Sequence, residues 1–258
     1  MYPFIYLFGR TIGTYGICMA VALVLAFFLA YRDGKKRGFR FEDLMIVGAM
    51  TFGFAIFGAN LLYIIVTYSW DQIVAMVKAG DFSFVGSGLV FYGGLIAGFF
   101  GCLLGIRIAR CRLATVEDCV VPYLPLAHAI GRIGCLLGGC CYGFEYDGCL
   151  AVHYPNSIAG LPPEQGYFPV QLLEAVLNVG VCFALLAIRS QKRKPGQLVA
   201  AYAGIYGVVR FVVEYFRGDA VRGSLLVFST SQWVSIGLMA ASVLFFVITK
   251  LRSGKAAD

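Results

Sequence analysis

The sequence has 258 residues, and its composition excludes an ordinary soluble domain. Hydrophobic residues make up 60% of the chain and charged residues only 14%, with a mean hydropathy of +0.80. The net charge of +7 does not indicate a nucleic-acid partner, because basic residues at the cytoplasmic face of a membrane protein account for it. We therefore expect a single polytopic membrane domain over residues 1–258.

Seven apolar segments of membrane length follow one another along the chain and predict an all-α membrane protein with seven transmembrane helices. The first has neither a basic start nor a small-residue cleavage pattern, so we interpret it as an uncleaved helix. Pro122 and Pro125 predict a kink in the fourth. Residues 142–168 are polar and rich in Pro and Gly, and they predict a small extracytoplasmic lobe between spans four and five. The segments cover residues 11–31, 44–66, 88–106, 116–141, 169–188, 198–216 and 233–248.

Basic residues follow the odd-numbered segments and predict the orientation of the chain. Fifteen of the 21 lysines and arginines lie after segments one, three, five and seven. Since basic residues stay in the cytoplasm, the N-terminus is predicted outside and the C-terminus inside. The fifteen are Arg32, Lys35, Lys36, Arg37, Arg40, Arg107, Arg110, Arg112, Arg189, Lys192, Arg193, Lys194, Lys250, Arg252 and Lys255.

With this orientation, the polar residues inside the segments share one depth in the outer half of the membrane. A cleft that admits an amphiphile from the outer leaflet fits this pattern better than a path through the membrane, because a transporter distributes polar groups over the whole depth. The residues are Tyr15, Tyr92, Arg132, Gln171, Glu174, Tyr206, Arg210 and Glu214.

The fourth segment carries the most informative stretch, residues 128–143. His128 and Arg132 are four residues apart and so share one helix face. An ionisable residue at membrane depth is costly and usually marks a site. The alternative for His128 is a neutral side chain that only ties two helices together.

A polar stripe along the sixth segment has two interpretations. Tyr206, Arg210, Glu214 and Arg217 recur at helical spacing. In one interpretation Arg210 and Glu214 form a buried ion pair that fixes the helix register. In the other the stripe belongs to an anion site, since Arg132 has no acidic partner nearby in the sequence and leaves positive charge to spare. Arginine suits phosphate oxygens, and the anion at this depth is a phospholipid head group.

Two further groups of residues have mainly structural interpretations. The glycines of the third segment form small-xxx-small pairs, which favour helix packing. The cysteines near residue 140 contain no CxxC pair, and the adjacent Cys140 and Cys141 suit one tetrahedral ion poorly, so we predict neither a metal nor a cofactor. A disulfide that involves Cys149 in the oxidising lobe stays open. The glycines are Gly93, Gly94, Gly98, Gly101 and Gly105.

Several motifs together resemble the prolipoprotein diacylglyceryl transferase family of bacterial inner membranes. The most specific are Gly131-Arg-Ile-Gly134, which leads to Gly139 and Tyr142-Gly143, and the stretch from Tyr206-Gly-Val-Val-Arg210 to Asp219. Weaker matches are Tyr15-Gly16, Phe91-Tyr-Gly-Gly-Leu-Ile96, Pro169-Val-Gln-Leu-Leu-Glu174 and Ser231-Gln-Trp-Val-Ser235.

The resemblance implies a reaction, a location and a set of site residues. The diacylglyceryl group of phosphatidylglycerol would pass to the lipobox cysteine of a preprolipoprotein and release glycerol phosphate, on the extracytoplasmic side of the inner membrane. The lipid and the signal peptide of the preprolipoprotein are then the partners. The residues implied to bind phosphatidylglycerol are Tyr15, Arg132, Gly139, Gly143, Gln171, Glu174, Tyr206, Arg210, Glu214 and Arg217.

The sequence departs from the family pattern at three positions of the site. Cys135 and Cys140 replace the usual Asn and Glu, as in a branch with the sequence GCCYG, and Tyr92 replaces a histidine proposed as the base. A phenol is a poor proton acceptor at neutral pH. We therefore predict that His128 acts as base or orients the thiol, with Tyr92 bonded to the lipid head and Arg210 as the third catalytic residue. The alternative functions are a paralogue with another acceptor and a non-catalytic lipid-binding or transport protein.

Overall fold

A computed structural model describes residues 2–7, 9–191, 194–218, 224–225 and 227–254. Lys192, Arg193 and Lys255 of the basic clusters and Asp219 of the sixth-segment motif lie outside the described residues. Within them, nine α-helices and one 3-10 turn are joined by loops and three short hairpins. The helices are α1 Thr14–Lys35, α2 Phe41–Thr67, α3 Trp70–Lys78, α4 Phe91–Ile108, α5 Leu113–Val120, α6 Leu124–Gly138, α7 Val170–Arg189, α8 Gln197–Glu214 and α9 Thr230–Gly254.

Six stretches of helix are long and apolar enough to cross a membrane, which confirms a multi-pass membrane protein. They are α1, α2, the run from α5 to α6 (Leu113–Gly138), α7, α8 and α9. The third predicted segment is also helical, but the apolar part of α4, Tyr92–Ile108, is shorter than the other six. Large apolar side chains on these helices are exposed, such as Val24 at 70% and Val243 at 63%, as lipid-facing side chains are.

The fourth segment is interrupted at the predicted place. A 3-10 turn over Val121–Tyr123, with Pro122 near its start, separates α5 from α6. Pro125 lies in the first turn of α6, where its missing N–H leaves no intrahelical bond unmade. The kink expected from the two prolines is therefore confirmed.

Three antiparallel hairpins lie outside the helices, and the all-α prediction missed them. They pair β1 Phe4–Leu7 with β2 Arg10–Gly13, β3 Val152–His153 with β4 Gly166–Tyr167, and β5 Ser224–Leu225 with β6 Phe228–Ser229. The predicted start of the first span at Thr11 was too early, because residues 11–13 pair with β1 and the helix begins at Thr14. The hairpin β3–β4 belongs to the lobe of residues 142–168.

The contacts divide the chain into two compact units, Asp33–Val116 and Met1–Arg32 with Glu117–Asp258. In the first, the glycine face of α4 packs on α2, as the small-xxx-small pattern predicts. A Cβ on Gly105 would lie 2.9 Å from the Cα of Val47, and one on Gly94 would lie 3.1 Å from the carbonyl oxygen of Ala55. Only glycine permits this approach of the two backbones.

The second unit contains α6, α7, α8 and α9 and most of the predicted site residues. Its apolar core joins Val121 to Val181 and Leu185 of α7 and to Leu198 of α8, each of them buried. Nearer to the lobe, α7 and α8 bury polar and charged side chains, among them Glu174 and Arg210. The packing of α7 between α6 and α8 thus places the charges of three elements together.

Candidate active site

Glu174 is the centre of the polar cluster. Its side chain on α7 is fully buried, and its Oε1 lies 2.9 Å from Nη2 of Arg132 on α6. Nε2 of His128 lies 3.5 Å from the same oxygen, and Nη1 of Arg217 lies 3.8 Å from Oε2. The two arginine contacts are ion pairs, and among the described residues neither Glu174 oxygen accepts a well-aligned hydrogen bond. The Glu174 carboxylate therefore offsets the positive charge of the two arginines, while its two oxygens can still accept hydrogen bonds.

His128 and Arg132 meet on one face of α6, as their spacing predicts. Nε of Arg132 donates a hydrogen bond of 3.2 Å to Nε2 of His128. Arginine can only donate, so this bond requires a neutral imidazole with its proton on Nδ1. The other face of α6 approaches α1, since a Cβ on Gly134 would lie 2.9 Å from the Cβ of Cys18 and 3.4 Å from the Cα of Tyr15. The predicted residue Tyr15 is thus placed beside α6, one turn from Cys18.

A second ion pair lies at the end of α8. Nη2 of Arg210 is 2.6 Å from Oε2 of Glu214 and also donates a 3.0 Å hydrogen bond to Oγ of Ser231. Oγ of Ser229 donates to Oε1 of Glu214 at 2.7 Å. The ring of Tyr206, one turn before Arg210, lies 5.5 Å from that of His128 between centroids and connects the two charged groups.

The lobe begins shortly after α6 and pairs through its backbone with the segment that follows α8. Gly143 pairs with Arg217, Phe144 N–H donates to the Phe216 carbonyl, and Gly218 N–H donates to the Tyr142 carbonyl. A Cβ on Gly143 would collide with the carbonyl oxygens of Phe168 and Phe216, so only glycine fits.

Gly139 and Gln171 also help to hold the lobe against the helices. Gly139 ends α6 in the left-handed conformation, with φ of 68°, and its carbonyl accepts from Oγ of Ser157. Nε2 of Gln171 donates to the Cys140 carbonyl at 2.9 Å, and its Oε1 accepts from the Tyr154 hydroxyl at 3.2 Å. Burial raises the pKa of the Tyr154 phenol, which keeps this hydroxyl protonated.

Arg132 has an acidic partner, contrary to the expectation from the sequence. The partner is Glu174 on another helix, too far along the chain for spacing to reveal it. The expected excess of positive charge nevertheless exists among the described side chains, since three arginines face two glutamates while His128 is neutral. These five charged residues are Arg132, Arg210, Arg217, Glu174 and Glu214.

One predicted site residue belongs to the other unit, and some contributors were missed. Tyr92 belongs to the unit Asp33–Val116, where it is 41% exposed, so its part in the site stays a prediction. Ser229 and Ser231 were not predicted as site residues, because a serine after a loop carries no spacing signal. From the sequence we expected the adjacent Cys140 and Cys141 to suit a shared metal ion poorly, but the structure brings their sulfur atoms together. Their Sγ atoms and that of Cys135 lie within 4.8 Å of one another.

The disulfide of Cys149, which the sequence left open, is not formed in the described part of the chain. All nine cysteines lie within the described residues, none of them is in a disulfide, and Cys149 is exposed.

Replacing Glu174 by Gln should destabilise the protein, because Arg132 and Arg217 would then share a buried site without their counter-charge. Loss of one partner of a buried pair costs about 3–5 kcal/mol. We expect a lower Tm in detergent, measured by the accessibility of thiols on heating. Glu164→Gln changes an exposed carboxylate of the lobe and is the matched control. Equal Tm values for the two variants would contradict a central role of Glu174.

Comparison with known proteins gives a consistent result over nearly the whole chain. A family model described as prolipoprotein diacylglyceryl transferase matches residues 3–248. The chain is 32% identical over 250 residues to phosphatidylglycerol–prolipoprotein diacylglyceryl transferase 2 of Clostridium perfringens, which covers 96% of this chain and 95% of that protein. It is 32% identical over 246 residues to phosphatidylglycerol–prolipoprotein diacylglyceryl transferase of Clostridium tetani, which covers 95% and 96%. The protein of that name from Dehalococcoides mccartyi strain BAV1 is 29% identical over 248 residues, and the match covers 95% of this chain and 91% of that protein.

Proposed function

Since the chain belongs to the prolipoprotein diacylglyceryl transferase family, we propose that its buried arginines bind the phosphate of the lipid donor. The chain is an enzyme of lipoprotein biosynthesis that transfers the diacylglyceryl group of phosphatidylglycerol to prolipoprotein. In the proposed reaction, the lipobox cysteine thiolate attacks the glyceryl carbon. The bond from this carbon to the phosphate oxygen breaks, a C–S bond forms, and glycerol phosphate leaves.

The main support for a phosphate site is a buried hydrogen-bond donor of Arg210 that has no acceptor. Its side chain is 8% exposed, and Nη1 has no acceptor among the described residues, although Nη2 is bonded to Glu214 and Ser231. A buried donor without an acceptor is costly, and a phosphate oxygen of the lipid would satisfy it. The excess positive charge of the cluster matches the single negative charge of phosphatidylglycerol.

The same arginines would favour the chemical step. The phosphate gains negative charge as the C–O bond breaks, and fixed cations in a site shielded from water stabilise that charge more than water would. Arg210 is held by Glu214, and Arg132 by Glu174, before the lipid arrives, so the Arg132 guanidinium is the only one that has to turn. The two glutamates therefore orient the arginines.

His128 is proposed as the base that accepts the thiol proton. Without lipid, its Nε2 lone pair accepts the hydrogen bond from Arg132 Nε. When Arg132 turns toward the phosphate, this nitrogen becomes available to a thiol in the cleft. Binding of the lipid would then free His128 to act as base, and without lipid the site would not deprotonate the prolipoprotein thiol. Tyr92 keeps its proposed hydrogen bond to the lipid head.

The proposed location follows from the charge pattern together with the six apolar helices. We place seven spans in the bacterial inner membrane, with α4 as the shortest, the N-terminus outside and the lobe of residues 142–168 on the extracytoplasmic side. The cluster around Glu174 lies at the lobe end of α7, so it would face the compartment in which the prolipoprotein is modified. The lipobox cysteine at the end of the signal peptide span would reach the cleft from the outer leaflet.

The orientation can be tested by labelling with a membrane-impermeant maleimide. In a Cys149→Ser background, Asn156→Cys in the lobe should react in intact spheroplasts, because this position is exposed and the proposal assigns the lobe to the outer side. Lys36→Cys, also exposed, should react only after permeabilisation. Labelling of position 36 in intact spheroplasts would contradict the orientation and the outward-facing cleft.

The phosphate assignment predicts that Arg132→Lys and Arg210→Lys each lower transfer from phosphatidylglycerol well over tenfold. Lysine keeps the charge but loses the planar pair of donors. The measurement is the rate of diacylglyceryl transfer to a lipobox peptide in lipid nanodiscs, with Tm as the check on folding. Arg40→Lys alters a guanidinium that is 69% exposed and should keep the parental rate. A parental rate for either buried variant removes that residue from the phosphate site.

The base assignment predicts a pH-dependent defect in His128→Gln. The amide oxygen can still accept the bond from Arg132, but it cannot take a proton at neutral pH. Transfer should fall at pH 7 and recover partly near pH 9, where a thiol of pKa about 8.5 ionises unaided. The ratio of rates at the two pH values is the measurement. A variant with the parental ratio would mean that His128 only holds Arg132 in place.

A further inference from the structure

Three thiols converge beside the arginine cluster, and no step proposed above uses them. Cys135 lies on the last turn of α6, and Cys140 and Cys141 follow Gly139 directly. The left-handed Gly139 and the positive φ of 56° at Cys141 turn the chain back on the helix end. Cys140 N–H donates to the Cys135 carbonyl at 3.1 Å, and the three Sγ atoms lie within 4.8 Å of one another.

The donor set fits a metal ion better than a disulfide. In a tetrahedral zinc site the Zn–S bonds of about 2.3 Å separate the sulfur atoms by about 3.8 Å, which the observed cluster reaches with small movements. One disulfide would use two of the thiols and leave the third without a role. A positive φ at Cys141, a residue other than glycine, is a strained conformation of the kind that functional sites retain. The geometry points to a three-thiolate site for one thiophilic metal ion, with Zn²⁺ as the best match.

The surroundings suit such a site in charge and access. Zn²⁺ with three thiolates carries one net negative charge, and the positively charged Arg217 side chain lies beside Cys141. Cys135 is buried, whereas Cys140 and Cys141 are half-buried, so the cluster is open on one side. Structural zinc sites have four protein ligands, while three ligands with an open position are typical of catalytic ones.

The open position has a natural occupant if the chain acts as proposed above, and this step rests on that function. The acceptor cysteine thiol of the prolipoprotein would bind the ion as a thiolate, and its proton would pass to His128 or solvent. The bound sulfur then attacks the glyceryl carbon, the C–O bond to phosphate breaks, and the thioether product leaves the ion. Arg217 contacts both Glu174 and the cysteine cluster, so donor and acceptor sites would adjoin.

The site itself is tested by metal content, independently of activity. The purified full-length protein, incubated with Zn²⁺ under reducing conditions and desalted, should retain one zinc by mass spectrometry. Cys135→Ser, Cys140→Ser and Cys141→Ser should each retain at least tenfold less, measured as dissociation constants with a zinc chelator. Cys149→Ser removes an exposed thiol of the same lobe and should bind as the parent does. Absence of tight zinc in the parent, or a disulfide within the three, would overturn the proposal.

The open position is tested with Co²⁺ as a spectroscopic probe. Co²⁺-loaded protein should show thiolate-to-metal charge-transfer absorption, and a lipobox peptide should increase it by about one third as a fourth thiolate joins three. The same peptide with serine in place of cysteine should leave the spectrum unchanged. An unchanged spectrum with the cysteine peptide would refute coordination of the acceptor. Lack of diacylglyceryl transfer by a protein that passes both metal tests would instead contradict the proposed function.

Discussion

A single buried carboxylate holds the active-site half of this protein together. Glu174 has no exposed surface, and Arg132, His128 and Arg217 approach it from two other parts of the chain. An isolated carboxylate at this depth would cost several kcal/mol, so its partners are required for the fold as well as for chemistry. Because α6 and the segment after α8 both depend on α7 in this way, the positions of Arg132 and Arg217 are set by one residue.

The pairing of arginines with glutamates explains how positive charges can be buried and still bind an anion. Each glutamate neutralises part of the positive charge, yet the cluster as described retains one charge in excess, and Arg210 retains a donor without an acceptor. A fully neutral network would bind an anion weakly, and three buried arginines without any glutamate would be too costly to keep buried. The lobe contributes through the backbone, because the pairing of Gly143 with Arg217 fixes the loop that carries this arginine.

The sequence predicted the membrane helices well, and the reason is physical. A lipid environment requires long apolar helices, and their hydropathy and flanking charges are local properties. The break at Pro122 and the glycine face of α4 were likewise local. The hairpin that precedes α1 was missed, since strand pairing over residues 4–13 depends on a partner rather than on composition. The division of the chain into two units was not visible in the sequence either.

The contacts within the candidate site could be predicted only in part. The four-residue spacing of His128 and Arg132 predicted that they share a helix face, and they are in contact. The same spacing predicted the ion pair of Arg210 and Glu214. The bond from Arg132 to Glu174 joins different helices, and no period within a helix can report it. The thiol cluster was dismissed on spacing, because the left-handed turn at Gly139 that gathers it is a property of three-dimensional structure.

The order of the helices along the chain has a consequence for biogenesis. A ribosome delivers α6 to the membrane before α7, so Arg132 is already present when Glu174 is inserted. Each charge can then enter the bilayer as half of a pair, which lowers the barrier that a lone ionised side chain would meet. Arg217 is synthesised only with the end of α8, long after the Gly143 backbone with which it pairs. Assembly of the cleft can therefore be completed only after α8 has been inserted.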